Sequence, residues 1–532
     1  MSFKCFGVKV RQIIKVVFFR LPTNQDISYY ILIINDYIYN KYICRNSVKG
    51  SMKTVIIFCA LSVTISRVIG QKDNHFAEGR NTIVHLFEWH WDAIASECEN
   101  FLGPKGFAGV QVSPPNENSV ISNRPWWERY QPVSYQLFTR SGNETAFANM
   151  VRRCSNVGVR IYVDAVFNHM SGTSGTGTGG HSSDIGSLSY PAVPFKSNHF
   201  HSRCDVNNYQ DATNIRKCWL SGLPDLDQSH DFVRKKIVEY LNHLVDLGVA
   251  GFRVDAAKHM WPTDLKAIYS SVKDLTGPGL SGRPFFYQEV IDLGGEAVRK
   301  TEYNSFGAVL EFKYGAELGN AFQGHNDLHW LKSWGTEWGL LAGTDAVAFI
   351  DNHDNQRGGS PAILTYKSPK PYKMAIAFML AHPYGTTRIM SSFAFDNFDQ
   401  GPPIQQPGFN ADDTCTNGWV CEHRWRQIYN MVGFRNAVAG TGINNWWSNG
   451  KNKIAFGRGD KGFIAFTLEG DIDQNLQTSL PAGTYCDVIS GSLKNGTCTG
   501  KAVKVDGRGK AAISLSTNEY DGVVAIHVNG KL

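Results

Sequence analysis

Long apolar runs are missing from this chain. The stretch Thr54 to Ile65 is apolar but too short to cross a bilayer, which takes about 20 such residues. Paired C-x-x-C spacing is also missing despite 11 cysteines, which argues against a zinc centre. No segment repeats and no heptads run along the chain, so solenoids and coiled coils are excluded. Nor does the body of the chain carry excess positive charge. Of 53 Lys+Arg and 47 Asp+Glu, residues 1–70 hold ten and two, leaving 43 basic and 45 acidic residues. That balance gives no footing for a polyanion or an acidic membrane surface. With 42% hydrophobic and 19% charged residues over 532 positions, what is present is an ordinary globular chain with a large core.

The front end has its own composition. From Met52, "MKTVIIFCALSVTISRVIG" sets Lys53 ahead of a short apolar core, with Val68 and Gly70 where a signal peptidase would cut before Gln71. Residues 52–70 are therefore expected to be a signal peptide, and residues 1–51 an upstream extension outside the fold. Cysteine counting agrees with an extracellular location. Cys5, Cys44 and Cys59 precede Gln71 and eight follow, an even number. Cys415/Cys421, Cys486/Cys498 and Cys204/Cys218 are close in sequence, which leaves Cys98 with Cys154. Sequons at Asn143 and Asn495 suit the same compartment.

Short β-branched runs recur eight times: "IVHLFEW" (83–89), "FAGVQVSP" (107–114), "RIYVDAVFNH" (160–169), "GFRVDAAKH" (251–259), "PFFYQEVI" (284–291), "GAVLEF" (307–312), "DAVAFIDNHD" (345–354) and "TTRIMSS" (386–392). Amphipathic segments such as "DFVRKKIVEYLNHLVDLG" (231–248) lie between them. Strands alternating with helices predict an α/β fold, a (β/α)8 TIM barrel over residues 71–168 and 227–436. The interval 169–226 is rich in Gly, Ser and Thr. It is too long for a structureless loop and is expected to be a small excursion domain after the third strand. From 437 to 532 alternating strands with Gly turns predict an antiparallel β-sandwich.

"GFRVDAAKH" raises the functional question, because Arg253, Asp255, Lys258 and His259 spoil an otherwise buried strand. In such barrels chemistry sits at the carboxyl ends of the strands. Those ends carry Asp164, Asn168 and His169 on the third, Asp255 on the fourth, Glu289 on the fifth, and Asn352, His353 and Asp354 on the seventh. Asp255, Glu289 and Asp354 would share one mouth, and two carboxyls flanking a bond are the minimum for glycoside hydrolysis. Arg253, two residues before Asp255, should face the same way and keep it ionised.

These strand ends, "DAVFNH", "GFRVDAAKH", "YQEVID" and "FIDNHDNQR", together with "HLFEWHW", "VQVSPPNEN", "RPWWERYQPVSY" and "CEHRWRQI", closely resemble the animal-type α-amylases from about Gln71 to the C-terminus. The resemblance implies retaining endo-hydrolysis of α-1,4-glucosidic bonds in starch and glycogen, giving maltose and maltooligosaccharides. Asp255 would be the nucleophile, Glu289 the acid/base and Asp354 the transition-state stabiliser. It implies a structural calcium ion held by Asn168, Arg216, Asp225 and His259, with backbone carbonyls from Arg216 and His259. It implies a chloride ion held by Arg253, Asn352 and Arg388. Trp126, Trp127 and Tyr130 would stack on glucose, with Gln131 beside them. Tyr209, His169, Lys258, His259 and His353 would hydrogen-bond its hydroxyls. The implied protein is a monomer with no nucleic-acid or membrane partner. A Gly-rich loop after the seventh strand and a disulfide near Phe138, both found in vertebrate members, are shortened and absent here, as in insect members. A glucosidase or transglycosylase of the same clan, and a non-catalytic carbohydrate-binding relative, are the competing readings.

Overall fold

The computed structural model describes residues 15–19, 30–34 and 71–532. Lys15–Phe19 and Tyr30–Ile34 pair as an antiparallel hairpin that is a unit of its own. The expected signal peptide, 52–70, lies outside the described residues.

In the second unit eight parallel strands close into a barrel: β1 (Thr82–Leu86), β2 (Gly109–Val112), β3 (Arg160–Ala165), β4 (Gly251–Val254), β5 (Phe285–Gln288), β6 (Ala308–Leu310), β7 (Ala346–Ala348) and β8 (Thr386–Ser391). They follow sequence order around the ring, with β8 pairing back to β1. Each expected strand forms, and most stop several residues short of the apolar run's end, where the polar residues begin the loops. Gly251 opens β4 because a Cβ there would stand 2.3 Å from the Phe285 carbonyl oxygen. Helices outside the ring turn apolar stripes inward, as Val233, Ile237, Tyr240, Leu241 and Leu244 do along Asp231–Asp246.

Segment 169–226 has little regular structure. It holds the two-residue strands Gly175–Thr176 and Ser182–Ser183 and the helix Ala212–Lys217. A bridge between His169 and Asp225 closes it at its base, and Cys204–Cys218 staples it within. Its glycine-rich turn wraps the buried Glu117 carboxylate. That group accepts from Gly179 N (2.9 Å), His181 N (3.0 Å), Ser134 Oγ (2.6 Å) and His181 Nδ1 (2.8 Å). Added Cβ atoms on Gly177 and Gly179 would lie 2.6 and 2.9 Å from Glu117 Oε1.

The C-terminal part is two four-stranded antiparallel sheets. One contains Ile443–Ser448, Lys453–Arg458, Gly462–Thr467 and Val523–His527; the other Ile472–Gln477, Lys510–Leu515, Ala502–Val505 and Gly483–Cys486. Phe463, Ala465, Ile513, Leu515 and Ile526 share their core. A buried ion pair between Lys373, on the helix Pro369–Ala381, and Asp521 fastens this part to the barrel. Disulfides join Cys98–Cys154, Cys204–Cys218, Cys415–Cys421 and Cys486–Cys498, as the counting predicts.

Candidate active site

One guanidinium organises the carboxyl ends of β3, β4 and β5. Arg253, 1% exposed, reaches Asp164 Oδ1 and Asp255 Oδ1 with Nη1 (both 2.6 Å) and Glu289 Oε1 with Nη2 (2.5 Å). The period-2 alternation of β4 puts Arg253 and Asp255 on one side. The chain then turns sharply. Ala256 takes a left-handed φ of 48°, and its N–H donates to Glu289 Oε2 at 2.8 Å. A non-glycine residue held there stores about 1–3 kcal/mol, which the surrounding fold must enforce. Strain and donor together fix where Glu289 lies.

Burial pushes Asp255 well above the ordinary carboxylate range; Arg253 pulls it down while Glu289 and Asp164 push it up. Asp164 is raised by burial against the opposing pull of Arg253 and the Tyr130 hydroxyl, which donates to it at 2.8 Å. Asp354, after β7, is raised to about 6 by burial and Glu289, against Arg253 and Arg357. The three expected acids therefore share one electrostatic site, with Asp164 as a fourth.

Beneath them, three buried donors lack acceptors: Arg253 Nε, Arg388 Nη2 and Asn352 Nδ2. Arg388 gives Nη1 to Gln111 Oε1 at 2.9 Å, and burial, with Arg253 adding to it, pushes Arg388 down to about 10. Two buried cations and an amide with orphaned donors fit a small anion. The implied calcium residues also fit. Asn168 Oδ1 and Asp225 Oδ1 are buried without a donor, and the His259 ring meets the Ile215 carbonyl at 2.9 Å beside Arg216. Among the described residues no group of three or more His, Cys, Asp or Glu side chains is placed for a metal. An ion here would rest on one carboxylate plus amide and backbone oxygens, which suits a hard cation.

The expected sugar contacts divide. Tyr130 stacks on His353 at 5.1 Å, and His169 Nε2 meets the Tyr130 carbonyl at 2.9 Å. Lys258 is buried, gives Nζ to the Ile291 carbonyl (2.7 Å) and to Glu296, and lies 5.0 Å over the exposed Tyr209 ring. Gln131 points to the excursion, accepting from Gly172 N at 2.8 Å. The two tryptophans differ in exposure. Trp126 is 5% exposed, edge-on to Phe87, Tyr130, His353 and Phe398, whereas Trp127 is half-buried. Loop aromatics here complete a core of their own.

Sequence reasoning missed the partners. The pairing of Asp164 with Arg253 and of Glu296 with Lys258 was not foreseen, nor were Gln111 and His85, which lie beside Arg388 from β2 and β1. The signal was available, since His85 and Gln111 interrupt the apolar runs "IVHLF" and "VQV".

The model of the "Alpha amylase, catalytic domain" family matches residues 106–276, and that of the "Alpha amylase, C-terminal all-beta domain" matches 446–529. An α-amylase of Phaedon cochleariae is 70% identical over 487 residues, 90% of this chain and 100% of that protein. The chain belongs to the α-amylase family. It is thus a glycoside hydrolase of α-1,4-glucan. The α-amylase of Tribolium castaneum is 66% identical over 90% of this chain and all of its own length. Among solved structures, α-amylase I of Eisenia fetida superimposes with a TM-score of 0.80 at 47% identity, covering 85% of this chain and 98% of its own. A glutamate-to-glutamine variant of that protein, in complex with maltohexaose, matches equally. Among the described residues of this α-amylase family member, no helix is long and apolar enough to cross a membrane.

Proposed function

We propose that this chain cuts α-1,4-glucan internally and with retention, using Asp255 as nucleophile, Glu289 as acid/base and Asp354 as transition-state stabiliser. The observation that carries the proposal is the shared guanidinium, with Asp255 and Glu289 on its two terminal nitrogens. Adjacent strands stand about 4.8 Å apart, which suits the roughly 5–5.5 Å carboxyl separation of retaining enzymes.

In the first half-reaction the Asp255 carboxylate attacks the anomeric carbon as the glycosidic C–O bond breaks. Glu289 gives its proton to the departing oxygen, leaving a β-glycosyl ester on Asp255. In the second, Glu289 takes a proton from water, whose oxygen attacks the same carbon, freeing Asp255 and restoring the α configuration. Asp255 loses its charge to the ester just as Glu289 gains one by deprotonation. Arg253 therefore faces one net charge from this pair throughout, which resolves the crowding of acids around a single cation. Asp354 receives sugar hydroxyls and faces the positive charge that grows on the ring.

Arg253, Asn352 and Arg388, with their orphaned donors, would hold a chloride ion, which would supply a fixed negative charge beside these acids. Asn168, Asp225 and the carbonyls of Arg216 and His259 would hold a calcium ion, which would tie segment 169–226 to the mouth. Trp127, Tyr130, Tyr209 and the neutral His169, His259 and His353 line the glucan's path with Lys258, while Trp126 and Gln131 support it from behind. The maltohexaose complex of the Eisenia protein supports a polymeric substrate. The four disulfides support an exported protein, with 52–70 as its signal, 169–226 as an excursion domain and 437–532 as the sandwich. Starch digestion tests the reading. A fast fall in viscosity with maltose and short oligomers is expected, whereas glucose alone would indicate an exo-acting glucosidase. Glu289→Gln should abolish turnover while leaving starch binding; near-normal turnover refutes the role.

A further inference from the structure

Beyond the pull of its charge on Asp354, Arg357 has no role assigned above, yet three loops of the barrel mouth converge on it. It ends the short 3-10 helix Asn355–Arg357, and its N–H donates to the Asp354 carbonyl at 3.1 Å. The buried guanidinium lies among aromatic rings, 4.0 Å from the centre of Phe395, 4.9 Å from Phe393 and 5.5 Å from Trp126. Nη1 donates to the carbonyls of Phe398 (3.2 Å) and Gln400 (3.3 Å). The same stretch after β8 holds both tryptophans of the loop after β2. Trp126 Nε1 donates to the Phe398 carbonyl and Trp127 Nε1 to the Asp399 carboxylate, each at 2.8 Å. A Cβ on Gly401 would stand 2.1 Å from the Arg124 carbonyl, so this stretch also presses on the chain leading into Trp126.

We propose that Arg357 is a positioning residue that fixes the separation between the Asp354 carboxylate and the half-exposed face of Trp127, so that a long glucan lying on Trp127 meets the acids in register. The inference rests on the roles given above to Asp354 and Trp127. Only a planar fork can lie flat against these rings and also bridge two carbonyls; an ammonium is a compact point charge on a flexible stem. Misplacement by about 1 Å can cost up to roughly 10²-fold in rate. The effect depends on chain length, because only a substrate spanning both groups senses their spacing.

The test is Arg357→Lys, with kcat and KM measured on maltoheptaose and on a short aryl maltoside. We expect kcat on maltoheptaose to fall about ten-fold or more, and on the aryl maltoside by less than about three-fold. Combining it with Trp127→Ala should cost no more than Trp127→Ala alone, since both break one connection. Equal loss on the two substrates, or independent multiplication of the two effects, overturns the proposal. Should Arg357→Lys not fold by thermal melt, Asp399→Ala takes its place. It frees Trp127 from the same stretch and must give the same length-selective loss, an unselective loss again overturning the proposal. Asp354→Asn separates the two readings, because activity surviving that change overturns the role of Asp354 and not the tie made by Arg357.

Discussion

Arg253→Gln removes the one cation that three buried carboxylates share. At contacts of 2.5–2.6 Å, each pair is worth roughly 4 kcal/mol at an effective dielectric of ~20 with charge centres ~4 Å apart. Much of that is offset by taking the ions out of water, and deleting one partner of such a set costs about 3–5 kcal/mol. The cost depends on pH. Asp164 and Asp255 are already raised by burial, and without the guanidinium both rise further. The folded variant then holds more protons than its unfolded chain, so stability falls as pH rises above the unfolded value of about 3.9. Thermal melts should show a small difference from the parent near pH 5 and a loss of about 3–5 kcal/mol near pH 8. At neutral pH the protonated Asp255 is no nucleophile, and kcat should fall by about 10³-fold or more. Equal destabilisation at both pH values, or kcat within ten-fold of the parent, would refute the shared-cation argument.

Asp354, raised to about 6, must be ionised to face the transition state. Asp255, also raised, must be ionised too, so the rate on soluble starch should decline as pH falls through about 6, and a decline that begins only below pH 4 would contradict the upward shift of both acids. Arg388→Gln removes one orphaned donor and a buried cation. Activity titrated with sodium chloride should lose most of its anion response, and an unchanged response would take Arg388 out of the pocket. Chelating calcium should expose segment 169–226, with proteolysis at its glycine-rich turn rising about ten-fold or more, given the entropy that chain recovers. Identical cleavage with and without chelator would argue against an ion at Asn168 and Asp225.

The barrel was legible because its strands are buried on both faces, so that each leaves an apolar run with polar residues only where it ends. Asp255, Glu289 and Asp354 could be read for the same reason, as carboxyls at positions where a barrel keeps its chemistry. Burial within loops was not legible. Adjacent tryptophans read alike in the sequence, but Phe87, His353 and Phe398, all distant along the chain, join Tyr130 in closing over Trp126. Ion partners were hidden likewise. Nothing local ties Asp164 to Arg253 or Glu296 to Lys258, since those pairings exist only once neighbouring strands and loops are in register. The candidate anion site was readable only through resemblance, because an orphaned donor has no sequence signature.

The turn that folds over Glu117 is anchored without sulfur. Two backbone amides, a hydroxyl and an imidazole gathered on one acid secure this turn, so reducing Cys204–Cys218 would leave its anchor in place. The safeguard has moved into the glycines: a single methyl group at Gly177 or Gly179 would do what a reductant cannot.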